Sequence, residues 1–193
     1  MNELQLKDLY LKQKKSMKQI ATRNNCSVNK VSYWMRKYKI SKRSISEAIY
    51  SLNNPNGDPF KFNRPKSIED AVLFGLGIGL YWGEGTKKDK CTLRIGNSDP
   101  ALINNFILFL ERIFNIDRNK LRFSLLIFND HDPEKILNYW ATRLNMNKKQ
   151  FYKSTVINLH RKGTYRSKSE NGVIILYFHN KKLRDKLVSL LPT

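Results

Sequence analysis

The sequence predicts an α+β protein in two parts: a small all-α segment, then a larger segment with helices on one face of an antiparallel sheet. Three observations lead there. Apolar residues recur at helical spacing behind serine caps through the first fifty positions. Residues 51–66, SLNNPNGDPFKFNRPK, hold three prolines, one glycine and four asparagines with little periodicity, the composition of a linker. Beyond them, over 67–193, helical and strand periods follow one another.

Leu4, Leu6, Leu9 and Tyr10 give a first helix its apolar face. Ser16 is an N-cap for a second helix, with Met17, Ile20 and Ala21 turned inward. Asn24-Asn25 break it, because asparagine tolerates the left-handed conformation of a tight turn. Ser27 caps a third helix in which Val31, Trp34, Met35 and Tyr38 fall at helical spacing. After the linker, Ser67-Ile68-Glu69-Asp70 has the form of a capping box and opens a helix to about Gly83. Cys91–Asn97 alternates as a half-buried strand, with a second strand optional behind it. Asp99-Pro100 opens a helix to about Phe114, Leu121–Phe128 reads as a strand, and Asp132-Pro133 opens a helix to about Leu144. Lys153–Leu159 and Val173–Phe178 are two further strands, and Asn180 caps a closing helix.

Charge narrows the function. The chain carries 36 Lys+Arg against 16 Asp+Glu, a formal net charge of +20. A chain this basic repels itself unless a polyanion is its partner, and nucleic acid is the usual one. The charge is spread over both parts, +9 in the first fifty residues and +11 in the remainder. Apolar residues make up 40%, enough for a packed core, which argues against wholesale disorder. Cys26 and Cys91 stand alone without a CxxC pair, which argues against a zinc site or a disulfide framework. The longest nearly apolar run, Ala71 to Trp82, is too short to span a bilayer, and no secretory leader is legible at the start, so a cytoplasmic protein with no membrane partner is expected.

Two sites stand out. Ala21, Asn25 and Val31 have the spacing of a helix-turn-helix: a small residue where helices cross, a turn residue, and an anchor on the second helix. The segment SMKQIATRNNCSVNKVSYWMRKYKI resembles resolvase-type modules of that kind. Asn29, Lys30, Tyr33, Arg36 and Lys37 then face outward. Asn29 and Lys30 suit base edges, and Arg36 and Lys37 suit phosphates. The second site is the helix AVLFGLGIGLYWGEG. Gly75, Gly79 and Gly83 repeat every four residues and bare one face. Each costs up to ~1 kcal/mol against alanine, which close approach of another helix would offset. Glu84 follows the stripe, and Gly85 is suited to end the helix in a left-handed turn.

The string GIGLYWGEG is similar to the signature of LAGLIDADG homing endonucleases, with Trp82 where that family has its first aspartate and Glu84 at the second. YWGEGTK, NSDPALINNFILFL, NYWATRLNM and QFYK are similar to members that join such a core to a helix-turn-helix. The resemblance implies an αββαββα core whose antiparallel, saddle-shaped sheet lies along double-stranded DNA. It also implies a divalent cation such as Mg²⁺ at Glu84. With one signature per chain, a homodimer packed through Gly75, Gly79 and Gly83 would bring two Glu84 carboxylates together. Lys153 is the candidate for stabilising phosphorane charge, with Arg94 and Asn97 behind it as phosphate contacts. Arg161, Lys162, Arg166 and Lys168, in a loop that mixes basic and aromatic residues, suit DNA contact. Trp82, Phe106, Phe109 and Trp140 are expected in the core. A site-specific DNA endonuclease is thus the expectation, and a non-cleaving DNA-binding regulator on the same fold is the alternative.

Overall fold

The structure, a computed structural model, describes residues 1–158 and 170–192. The chain divides into two compact units, Met1–Pro59 and Phe60–Thr193.

The first unit is all helical. Helix α1 (Glu3–Lys7) runs into a π-helical turn over Asp8–Lys12. Ser16 caps α2 (Met17–Arg23) with a complete capping box to Gln19, and Ser27 caps α3 (Val28–Lys37). Asn25 takes φ 45° in the turn between them, the left-handed geometry expected there. Leu6, Leu9, Tyr10, Ile20, Ala21, Val31, Met35 and Ile40 form the core. A fourth helix, α4 (Ile45–Asn53), is capped by Ser44 and Glu47 and extends into residues whose composition reads as linker. A reciprocal capping box outweighs the weak breaking tendency of Ser51 and Asn53.

The second unit is α+β. Its elements are α5 (Ile68–Glu84), β1 (Leu93–Asn97), α6 (Pro100–Phe114), β2 (Arg122–Phe128), α7 (Pro133–Leu144), β3 (Thr155–Ile157), β4 (Val173–Phe178) and α8 (Lys181–Val188). The order differs from αββαββα: among the described residues no strand follows β1 before α6, and α7 stands between β2 and β3. The strands lie in the order β1-β4-β2-β3. Pairs β1/β4 and β4/β2 are antiparallel, but β2/β3 is parallel, so the sheet is mixed and not the antiparallel one expected. The reason is the intervening α7, which carries the chain back to the end of the sheet from which β2 started.

Side chains alternate across this sheet. Leu93, Ile95, Phe123, Leu125, Ile127, Ile174, Leu176 and Phe178 are buried on one face and pack with α6, α7 and α8 residues in one core. Phe106, Phe109 and Trp140 are fully buried there, as expected. Phe60 and Phe62 add to this core, and the amides of Lys61 and Asn63 donate to the carbonyls of Phe114 and Ile113 at 2.8 and 2.7 Å. Residues 60–63 thus satisfy the last carbonyls of α6 instead of serving as linker.

Candidate nucleic-acid interface

On α3, Val31 and Met35 are buried, which turns Asn29, Lys30, Tyr33, Arg36 and Lys37 to the exposed side. All five candidates therefore share an open surface. The Lys30 ammonium lies 5.5 Å from the centre of the Trp34 ring, and Lys37 lies 6.0 Å from that of Tyr38. These contacts hold the two cations over half-buried rings while leaving them at the surface. Arg36 and Lys37 also sit in the last turn, where the helix dipole favours positive charge.

Sequence spacing alone did not reveal what fixes this unit. Arg43 donates through Nη2 to the carbonyls of Tyr10 and Lys15 at 2.8 and 2.7 Å, and through Nη1 to that of Lys14 at 3.0 Å. Its guanidinium stacks 4.1 Å from the Tyr10 ring centre, and its amide donates to the Tyr10 hydroxyl. These carbonyls lie in the π-helical turn and in the irregular residues just after it, and one planar fork collects them.

The glycines of α5 separate into two sets. Among the described residues a Cβ at Gly75, Gly79 or Gly83 would meet no atom within 4 Å, so these three line no seam with another described helix. A Cβ at Gly77 would lie 2.1 Å from Cγ of Phe109, so the close approach of α5 to α6 passes through Gly77. Ile68, Val72, Leu76 and Trp82 are exposed along the helix with the three open glycines. Trp82 is 56% exposed, which corrects its expected place in the core: Tyr81, one position earlier, faces inward and stacks on Phe106. Burial pushes the Tyr81 phenol up, against an opposing effect of Arg184.

At the end of α5, Glu84 is exposed and makes no hydrogen bond or ion pair among the described residues. Gly85 has φ −73° and ψ 141°, an extended conformation and not the expected left-handed turn. Glycine is needed there for space, since a Cβ would come within 2.3 Å of the Tyr81 carbonyl oxygen. Gly85 bridges to Ile95, and the Thr86 amide donates to the Arg94 carbonyl at 2.9 Å, which ties the end of α5 to β1. Lys87 donates its ammonium to the carbonyls of Tyr81 and Trp82, and Arg184 donates to those of Lys87 and Asp89. Among the described residues Glu84 is therefore a carboxylate without a partner, on a braced support.

The remaining candidates are dispersed. Arg94 is half-exposed on β1, with its guanidinium 5.4 Å from the Tyr177 ring centre. Asn97 uses its Oδ1 to accept the Asp99 amide at 2.9 Å, a local turn contact. Lys153 is exposed just before β3. β3 and β1 are the two outer strands, about three strand spacings of ~4.8 Å apart, so one chain does not bring Lys153 beside Glu84. Arg161, Lys162, Arg166 and Lys168 lie outside the described residues. Among the described residues no group of three His, Cys, Asp or Glu side chains is close enough to hold a metal ion.

A cluster that sequence reading missed occupies the open face of the sheet. Arg94 and Arg122 stand opposite Tyr177 on its two neighbouring strands. The His179 ring lies 5.8 Å from Tyr177 at 19°, and Tyr152 packs edge-on against Tyr177. The Tyr152 hydroxyl is 2.8 Å from His179 Nε2, and Thr92 Oγ1 is 3.4 Å from Nδ1. Basic and aromatic side chains interleaved on an open sheet are a common surface for nucleic acid. Comparison with known proteins adds no relative: no family model, no curated protein and no solved structure matches the chain.

Proposed function

We propose that the chain binds double-stranded DNA as a homodimer and cleaves it at specific sites with a divalent cation at Glu84, in the manner of the LAGLIDADG homing endonucleases it resembles. The observation that carries this reading is the exposed face of α5. Among the described residues, a stripe of Val72, Gly75, Leu76, Gly79 and Gly83 with no neighbour within 4 Å of the glycine positions ends at a carboxylate without a partner. Two copies packed through such a stripe come close at the glycines, and a twofold axis there pairs the two Glu84 side chains. Mg²⁺ accepts one or two protein carboxylates and takes its other ligands from water and phosphate, which suits a site with one acid per chain. Bound there, the cation would supply charge neutralisation and an acidified water. The chain's own part is to hold the backbone: Arg94 and Arg122 on the open sheet face bind phosphate, and the exposed face of α3 reads the groove as a helix-turn-helix.

The test is Glu84→Gln, which keeps the shape and removes the charge a cation needs. Against a random-sequence DNA library with Mg²⁺, the wild type is expected to cut. The variant should lose cutting by several orders of magnitude while binding DNA as well as before. Equal cutting by the variant overturns the assignment.

One observation favours the non-cleaving regulator as a second reading. The Lys87 ammonium sits on the last carbonyls of α5, close in sequence to Glu84, and supplies a resident positive charge at that helix end. Selection of a preferred sequence by a wild type that does not cut with any divalent cation would establish it.

A further inference from the structure

We propose that His179, with Tyr152 and Thr92, forms a proton-linked contact to a phosphodiester, so that the chain grips nucleic acid more tightly as His179 takes up a proton. The proposal rests on the nucleic-acid reading above and adds residues and a regulation to it.

A neutral imidazole has one donor and one acceptor nitrogen. Nε2 lies 2.8 Å from the Tyr152 hydroxyl and Nδ1 lies 3.4 Å from that of Thr92. In either tautomer one hydroxyl must spend its hydrogen on the ring while the other accepts the ring's hydrogen. A protonated imidazole has two donors and no acceptor. Both hydroxyls then accept from the ring, and both hydroxyl hydrogens are released. Protonation thus adds a positive charge and a second free donor at one exposed spot, and a phosphodiester oxygen is the ligand that uses both.

The surroundings strengthen the coupling. Tyr177 holds the ring from one side, and Arg94 lies over Tyr177. Arg122 stands opposite Tyr177 on β2, and Lys153 follows Tyr152. A phosphate bound there gathers these cations and the protonated ring around one negative charge. Two acids lie on neighbouring segments. Asp89 is engaged by the amides of Cys91 and Thr92, and Asp185 is paired with Lys181 and Arg184. His179 itself is exposed, so a ligand can reach it. Imidazole is the side chain whose ordinary titration falls between pH 5 and 8, where DNA phosphates keep a constant charge.

The experiment measures the affinity of the full chain for a short fluorescein-labelled DNA duplex of mixed sequence, by anisotropy at constant ionic strength, near pH 8 and near pH 6. The wild type should bind on the order of fivefold to tenfold more tightly at the lower pH, the scale of one hydrogen bond at an exposed site. His179→Gln should abolish the gain between the two pH values, read as the ratio of its own two affinities, while His131→Gln and His160→Gln should keep it. Tyr152→Phe removes one released hydrogen and should cut the gain severalfold; it serves as the test if His179→Gln does not fold. A gain that persists in full in the His179 and Tyr152 variants overturns the proposal, as does wild-type binding without a gain. Failure to bind the duplex at either pH removes the nucleic-acid reading itself, a result distinct from both.

Discussion

Arg43 does more for the N-terminal unit than any pattern of apolar residues announced. Three carbonyls at the end of an irregular helical turn depend on one side chain. Removing it returns the exposed Lys14 carbonyl to water but strands the part-buried carbonyls of Tyr10 and Lys15, and a buried acceptor without a partner costs ~1–3 kcal/mol. Arg43→Ala is therefore expected to destabilise this unit by about 2–4 kcal/mol, read as an earlier denaturation midpoint by circular dichroism. Arg43→Lys should recover only a minor part, because an ammonium has no fixed planar fork with which to reach three acceptors or stack on Tyr10. Melting of Arg43→Ala together with the wild type would show that the carbonyls find other partners.

At the scale of the element, α5 carries glycines for two opposite reasons, and substitution separates them. Gly77→Ala drives a methyl into the Phe109 ring and should cost roughly 1–3 kcal/mol through overpacking. Gly79→Ala meets open space, so the chain should gain up to ~1 kcal/mol of helix propensity. If the homodimer packs through that face, the same methyl should raise the monomer fraction in sedimentation. Equal thermal shifts of one sign for the two variants would contradict this division. The spacing of α5 could not assign its glycines, since Gly77 differs from the stripe only by which neighbour meets it. Helix starts were legible because caps are local: Ser16, Ser27, Ser67, Asp99, Asp132 and Asn180 all cap as read. Asp70 shows the limit of such reading. Its carboxylate goes to Arg112 and the Lys66 amide, so the box opened by Ser67 is half made. Strand pairing was not legible, because the parallel β2/β3 contact depends on a crossover and not on any residue in either strand. For the same reason the exposed face of α3 could be named from sequence, whereas Tyr152 and His179, 27 positions apart, meet only through the sheet order.

For the whole molecule the governing quantity is charge. A net +20 shared by two units means that DNA binding, as proposed, releases counterions at both. With six or more phosphates neutralised, raising salt from ~50 to ~200 mM should weaken binding about a thousandfold. A nearly flat salt dependence would remove the nucleic-acid reading. Deleting residues 1–59, at the boundary between the units, should leave a folded remainder with a shallower salt slope, since the cations of α3 leave with it. An unchanged slope would mean that the first unit does not touch the polyanion.

The position of β4 has a consequence in time. It lies between β1 and β2 in the sheet, yet it begins at Val173, well after β2 ends at Phe128. During synthesis the N-terminal unit can close on itself early, but β1 and β2 must wait, each with an open edge, until β4 emerges to join them. A ribosome that stalls anywhere between residues 129 and 154 therefore holds two unzipped strands and no sheet, and one that stalls before residue 173 can pair only β2 with β3. Quality control acting on this chain would meet a long vulnerable interval that ends abruptly with a single late strand.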